Sequence, residues 1–265
     1  MVSSAAVKAD DAIFFERLQT AAQRTLLLDY DGTLAPFTVD RAHAYPYGGV
    51  PELLESIISG CDTRVVFVSG RTAREIPPLL GLKSMPEVFG AHGLDHLRPD
   101  GTCEQAYISD KVQHALAEGE AWLEEEGLLG VAESKPGGIA VHWRGLREHE
   151  MAEVRTNAYR VLSWLSRNTG LNLAEFDGGL ELRTNIRNKG DVVRRILSES
   201  GPDTAVAYLG DDLTDEDAFR ALGDAGLTVL VRERFRPTQA HIWIKPPEEL
   251  IHFLDQWVRA CRGER

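Results

Sequence analysis

The chain has 265 residues, 43% hydrophobic and 26% charged, enough to bury one large core or two unequal ones. Its 29 Lys and Arg against 41 Asp and Glu leave a formal charge of -12, so its bulk charge repels nucleic acid and acidic membranes, and an anionic ligand would need a local cation. Three widely separated cysteines, Cys61, Cys103 and Cys261, with no CxxC spacing, argue against a disulfide framework or a zinc site and point to free thiols in a reducing compartment.

The N-terminal stretch carries Asp10, Asp11 and Glu16 and lacks a long apolar core, so no signal peptide is expected. No run approaches the ~18 apolar residues that a membrane span requires. Asp10 to Gln23 reads as an amphipathic helix with Ile13, Phe14 and Leu18 on one face. Thr25 to Leu28 is a short apolar run that ends in Asp29, as expected of a strand buried on both faces. A second run, Arg64 to Val68, ends at Ser69-Gly70-Arg71, and the helix after it should be limited by Pro77-Pro78.

The middle of the chain reads differently. Asp110 to Gly127 and Glu148 to Asn168 have helical patterns. Val131 to Glu133 and Ile139 to Trp143 flank a Pro136-Gly137-Gly138 turn, and Leu171 to Phe176 and Leu180 to Arg183 flank Asp177-Gly178-Gly179. Ala205 to Leu209 is a third strand ending in a Gly-Asp-Asp turn, and Leu227 to Val231 and Ile242 to Ile244 are further strands. The expected fold is α/β: an open, Rossmann-like parallel sheet built from residues 1–96 and 185–265, with an inserted α/β cap over residues 97–184. In such sheets ligands bind at the carboxyl ends of the strands, so the three polar turns should meet.

Four elements carry chemistry. In Asp29-Tyr30-Asp31-Gly32-Thr33, two neighbouring carboxylates repel unless a cation lies between them, and Mg2+ prefers oxygen ligands. Ser69 at a strand end can serve a phosphate oxygen or simply cap a helix. Lys189, after Asn188, opens a helix, although cations favour the other end, and a bound anion would explain it. Asp211, Asp212, Asp215, Glu216 and Asp217 crowd five acidic groups into seven positions.

The order of these elements resembles the haloacid dehalogenase superfamily of phosphatases. Leu209 to Phe219, Gly90-Ala91-His92-Gly93, Glu133-Ser134-Lys135, Ile139 to Arg144 and Leu180 to Arg183 before Asn188-Lys189-Gly190 are similar to segments of its trehalose-6-phosphate phosphatases. Trp143 stands where that family often has Tyr, and Asp95 where it often has Glu. The resemblance implies a phosphoric monoester hydrolase that converts trehalose 6-phosphate to trehalose. Asp29 would be the nucleophile, forming an aspartyl-phosphate, and Asp31 the acid and then the base. Ser69 and Lys189 would cradle the phosphoryl group, and Asp29, the Asp31 carbonyl and Asp211 would bind Mg2+, with Asp215 or Asp212 holding a metal-bound water. Arg71, His92, Glu133, Lys135, Arg144 and Glu181 are the expected substrate contacts, Arg71 equally suiting an acidic partner. His142 is read as structural. Other glycosyl phosphates are the alternative substrates: mannosyl or glucosyl phosphoglycerate, or sucrose phosphate. A non-catalytic sugar-phosphate sensor would require a broken catalytic set. The protein is expected to be a cytoplasmic monomer acting on a small molecule, away from nucleic acid and membrane.

Overall fold

The apolar runs owe their continuity to burial on both faces of a sheet. A computed structural model of the chain describes residues 4–176 and 178–264. They form two compact units, one built from residues up to 104 and from 188 onward, the other from residues 105–187.

The first unit begins with helix α1 (Ser4–Thr20), strand β1 (Gln23–Leu28), helix α2 (Val50–Gly60), strand β2 (Thr63–Val68) and the short helix α3 (Ile76–Leu80). Strands β3 (Glu87–Gly90), β4 (Asp95–Leu97) and β5 (Cys103–Gln105) follow. The second unit holds helix α4 (Asp110–Glu125), strands β6 (Ala132–Lys135) and β7 (Gly138–His142), helix α5 (Glu148–Thr169), and strands β8 (Asn172–Phe176) and β9 (Gly179–Arg183). The chain then returns to the first unit through helix α6 (Lys189–Glu199), strand β10 (Thr204–Gly210), helix α7 (Asp215–Leu222), strands β11 (Leu227–Val231) and β12 (Ile242–Ile244), and helix α8 (Glu248–Arg262).

The large sheet has the order β12-β11-β10-β1-β2-β3-β4-β5. It is parallel from β12 to β3, and β4 runs antiparallel to β3. Strand alternation divides its side chains between two layers. Leu26, Leu28, Val65, Phe67, Ala207 and Leu209 pack with Leu54 of α2 and Phe253 and Trp257 of α8. Leu27, Val66, Val68, Val206 and Tyr208 face the other way, onto Val193 and Ile196 of α6 and Phe219 of α7. Each of the buried Val, Leu, Ile and Phe side chains contributes roughly 1.5–3 kcal/mol by leaving water.

Three local expectations need correction. Helix α1 stops at Thr20 because Gln23 is drawn into the sheet opposite Thr204. Phe14 and Leu18 are buried on it, but Ile13 is 66% exposed. Pro77 and Pro78 lie in the first turn of α3, where a missing N–H costs nothing, so they begin that helix instead of limiting its length.

In the second unit, the antiparallel sheet β6-β7-β9-β8 buries Ile139, Val141, Leu180 and Leu182 against Leu123 of α4 and Leu162 and Leu165 of α5. Asp177 of the expected turn lies outside the described residues. Residues 97–104, read from sequence as part of the insert, extend the large sheet through Leu97 and β5. No helix among the described residues is long and apolar enough to cross a membrane.

Candidate active site

The register of the parallel sheet brings distant residues to one edge. Leu28 pairs with Leu209 on one side and Phe67 on the other, so the residues following β1, β2 and β10 emerge side by side. The Asp29 N–H continues the ladder onto the Leu209 carbonyl at 2.9 Å. Helix α6 delivers the fourth element. Asn188 caps it by accepting from the Asp191 N–H, while the Asp191 carboxylate accepts from the Asn188 N–H. Lys189 is the first residue of that helix, and its ammonium donates to Asp29 Oδ1 at 2.6 Å and to Asp215 Oδ1 at 2.7 Å. Two carboxylates thus account for a cation at a helix N-terminus.

Asp215 is fully buried and saturated with donors. Its Oδ1 accepts from Lys189 and from the Tyr208 hydroxyl at 2.7 Å, and its Oδ2 accepts from the N–H groups of Asp211 at 3.2 Å and Asp212 at 3.0 Å. It therefore organises the lysine and the Asp211 turn together. The approach depends on Gly210, since a Cβ there would lie 2.3 Å from the Asp215 carboxyl carbon. Asp29 has its second oxygen bonded by the Thr33 hydroxyl at 3.0 Å.

The electrostatics are those of crowded, dry carboxylates. Burial, aided by Asp215 and opposed by Lys189, pushes the Asp29 carboxyl up to about 7. Burial and the charges of Asp29 and Asp215 push Asp211 well above the ordinary carboxylate range. Burial works against the Lys189 charge, but Asp215 and Asp29 outweigh it and hold the ammonium firmly protonated.

These residues fit a divalent cation. Asp29, Asp211 and Asp215 each place one oxygen within 4.8 Å of the others, and the buried ammonium of Lys189 contacts two of them, Asp29 and Asp215. Asp211 Oδ2 is buried with no hydrogen-bond donor, and the Arg232 guanidinium comes no nearer than 3.8 Å. Gly32, at φ +85°, makes room for this oxygen; a Cβ there would lie 2.3 Å from it. Because the oxygens of Asp215 are already occupied by four donors, Asp29 and Asp211 are the side chains with capacity left for a metal.

The Asp31 side chain has a different partner. Arg71 grips it with two hydrogen bonds of 2.6 Å and donates a third, of 2.8 Å, to the Arg41 carbonyl. Of the two roles weighed for Arg71, the structure gives it the acidic partner. Ser69 is buried, and its hydroxyl accepts from the Arg71 N–H at 3.1 Å. His92 is buried at φ +57° with its N–H on the Ser69 carbonyl, and its ring lies so close to Gly70 that a Cβ there would sit 2.9 Å from it.

In the second unit, Glu133, Lys135 and Glu181 form one polar group on the face of the sheet opposite its helices. Lys135 lies 3.2 Å from Glu181 and 3.8 Å from Glu133. His142, read as structural, belongs to this group and bonds Glu133 at 2.7 Å; Arg183 approaches Glu181 at 3.7 Å. Arg144 packs against Gly178 at the β8–β9 turn.

The profile of the family described as trehalose-phosphatase matches residues 27–241. Trehalose-phosphate phosphatase of Mycobacterium marinum is 29% identical over 88% of this chain and 61% of its own length, and that of Mycobacterium tuberculosis is 30% identical over 91% and 63%. The chain thus spans less than two thirds of these curated relatives. The C-terminal domain of the Candida albicans trehalose-6-phosphate phosphatase superposes with a TM-score of 0.76 at 20% identity, covering 97% of both chains. That of the Candida albicans trehalose synthase regulatory protein gives 0.68 at 14% identity, over 93% of this chain and 98% of that one. By the extent of the profile match, with the fold and the clustered Asp29, Lys189, Asp211 and Asp215 in agreement, this chain belongs to the trehalose-phosphatase family.

Proposed function

We propose that this chain is a Mg2+-dependent phosphomonoesterase that releases inorganic phosphate from trehalose 6-phosphate. The observation that carries the reading is the Lys189 ammonium lodged between Asp29 and Asp215, beside a third carboxylate with an unbonded oxygen. An anionic phosphoryl group can approach such a site only with added positive charge.

In this reading Asp29 attacks phosphorus as the bond to the sugar oxygen breaks, and Asp31 supplies the proton that the departing oxygen takes up. Water then gives its proton to Asp31 and attacks the phosphorus of the aspartyl-phosphate, regenerating Asp29 and releasing phosphate. Lys189 and Ser69 stabilise the phosphoryl oxygens, where charge concentrates in the transition state. Arg71, which holds the Asp31 carboxylate by both oxygens, orients it in the ionised form that takes the proton from water, and one of the two bonds yields when Asp31 is protonated to serve as the acid. Asp29, Asp211 and the Asp31 carbonyl would hold the cation, which when bound neutralises the carboxylates and draws electron density from the phosphoryl oxygens.

The sugar falls to the second unit's polar group and to His92. Glu133, Lys135, Glu181 and Arg144 present charged donors and acceptors to hydroxyls, and a site built to bond hydroxyls rejects an analogue lacking them by orders of magnitude. The test is phosphate release from trehalose 6-phosphate beside sucrose 6-phosphate, glucose 6-phosphate and glucosyl and mannosyl phosphoglycerate, with Mg2+ and with chelator. The reading expects turnover that needs the cation and favours trehalose 6-phosphate at least tenfold, roughly the least that one lost polar contact should give. Comparable rates across the panel would overturn the substrate, and undiminished rates in chelator would overturn the mechanism.

A further inference from the structure

Two of the three cysteines meet in the fold, although they lie 200 residues apart in sequence. Cys61 caps helix α2, with its N–H on the Ile57 carbonyl at 3.2 Å. Cys261 lies in the last turn of α8, which packs along α2. The two helix ends converge: a Cβ on Gly60 would lie 3.9 Å from the Arg262 guanidinium. The Thr63 hydroxyl bridges them, 3.3 Å from the Cys61 carbonyl and 4.0 Å from Cys261 Sγ. Both cysteines thus border the Thr63 side chain at the start of β2. All of this lies at the start of β2, whereas Ser69 follows its end, so the pair sits at the opposite edge of the sheet from the carboxylate cluster.

We infer that Cys61 and Cys261 are a thiol-oxidation site that closes to an intramolecular disulfide when a small-molecule disulfide such as glutathione disulfide is present. Cys61 is 4% exposed, and its burial, with the neighbouring Cys261, pushes its thiol up to about 12, so it does not react first. Cys261 is half-buried and is the point of entry. Its thiolate attacks glutathione disulfide, forming a mixed disulfide and releasing one glutathione. The Cys61 sulfur, losing its proton to solvent base, then attacks the Cys261 sulfur and releases the second glutathione. One disulfide reagent is reduced to two thiols as two protein thiols become one bond. The bond closes a loop of some 200 residues, for which the chain-entropy gain approaches its largest values.

The reduced full-length chain is incubated with glutathione disulfide, alkylated, digested without reductant and mapped by mass spectrometry. The Cys61–Cys261 peptide pair should be the dominant cross-link, with Cys103 of strand β5 recovered alkylated or singly glutathionylated. Thermal unfolding of the oxidised form should rise by at least about 3 °C and fall back on reduction. Cys61→Ala and Cys261→Ala, both small apolar replacements, should each abolish the cross-link and the shift. Recovery of Cys261 as a stable glutathione adduct with Cys61 still reduced would overturn the inference, as would a cross-link involving Cys103 or an unchanged unfolding temperature in the cross-linked chain.

Discussion

Replacing Lys189 with Met tests the centre of the site, because it removes the ammonium while keeping a long unbranched side chain. At an effective dielectric constant of about 20, each contact, at 2.6 and 2.7 Å, carries about 6 kcal/mol of attraction. Desolvation of the buried ammonium offsets much of this, and removing one partner from such a cluster costs about 3–5 kcal/mol net. The cost should depend on pH in a defined direction. Without Lys189, the carboxyls of Asp29 and Asp211, already raised by burial, rise further above the ordinary carboxylate range. A carboxyl with a raised folded-state value favours folding at low pH, and stability is lost as pH climbs from the unfolded value through the folded one. Urea unfolding of Lys189→Met in chelator should therefore show the full deficit at about pH 8 and less than half of it at about pH 5. Saturating Mg2+ should restore part of it at the higher pH. Phosphate release should fall by about 10²–10³ or more. Equal deficits at the two pH values, or no recovery with Mg2+, would refute the electrostatic account of the cluster.

Three further substitutions probe its surroundings. Gly32→Ala sets a methyl group 2.3 Å from Asp211 Oδ2 at a backbone angle suited to glycine, so the Mg2+ concentration for half-maximal activity should rise at least about tenfold, as a metal titration would show. Arg71→Ala leaves Asp31 without its clamp; turnover of a sugar phosphate should fall about 10²-fold, but that of p-nitrophenyl phosphate, whose leaving group needs no proton, by much less. Tyr208→Phe removes one of four donors to Asp215 from a fully buried position and should cost about 1.5–3 kcal/mol in urea unfolding and lower kcat more than it changes KM.

Much of the sheet was legible because strands buried on both faces leave unbroken apolar runs, and Leu227–Val231 and Ile242–Ile244 are strands as read. The three-residue strands β4 and β5 were not, since Asp95-His96-Leu97 and Cys103-Glu104-Gln105 carry no such run and owe their pairing to neighbours already in place. The candidate site shows the same division. Asp29, Ser69 and the Gly210-Asp211 turn stand at strand ends, which a pattern reveals. The central position of Asp215 comes instead from its side chain folding back onto two N–H groups ahead of helix α7, a contact no spacing rule specifies. Alternation correctly set His142 opposite Val141, but that face proved to be the one carrying Glu133 and Glu181. Arg71 was left open between phosphate and carboxylate because only three dimensions bring it to Asp31, 40 residues away.

The shared ladder of β10, β1 and β2 gives insertions and deletions opposite meanings at places a few residues apart. Lengthening a connection between a strand and the next helix leaves the pairing of Leu28 with Leu209 and Phe67 untouched. Deleting a single residue inside β1 would withdraw Asp29 by about 3.3 Å and turn its side chain toward the other layer, away from Lys189. The family's freedom to vary in length should therefore end abruptly at the strands, where backbone pairing serves as the measuring rule for the reaction.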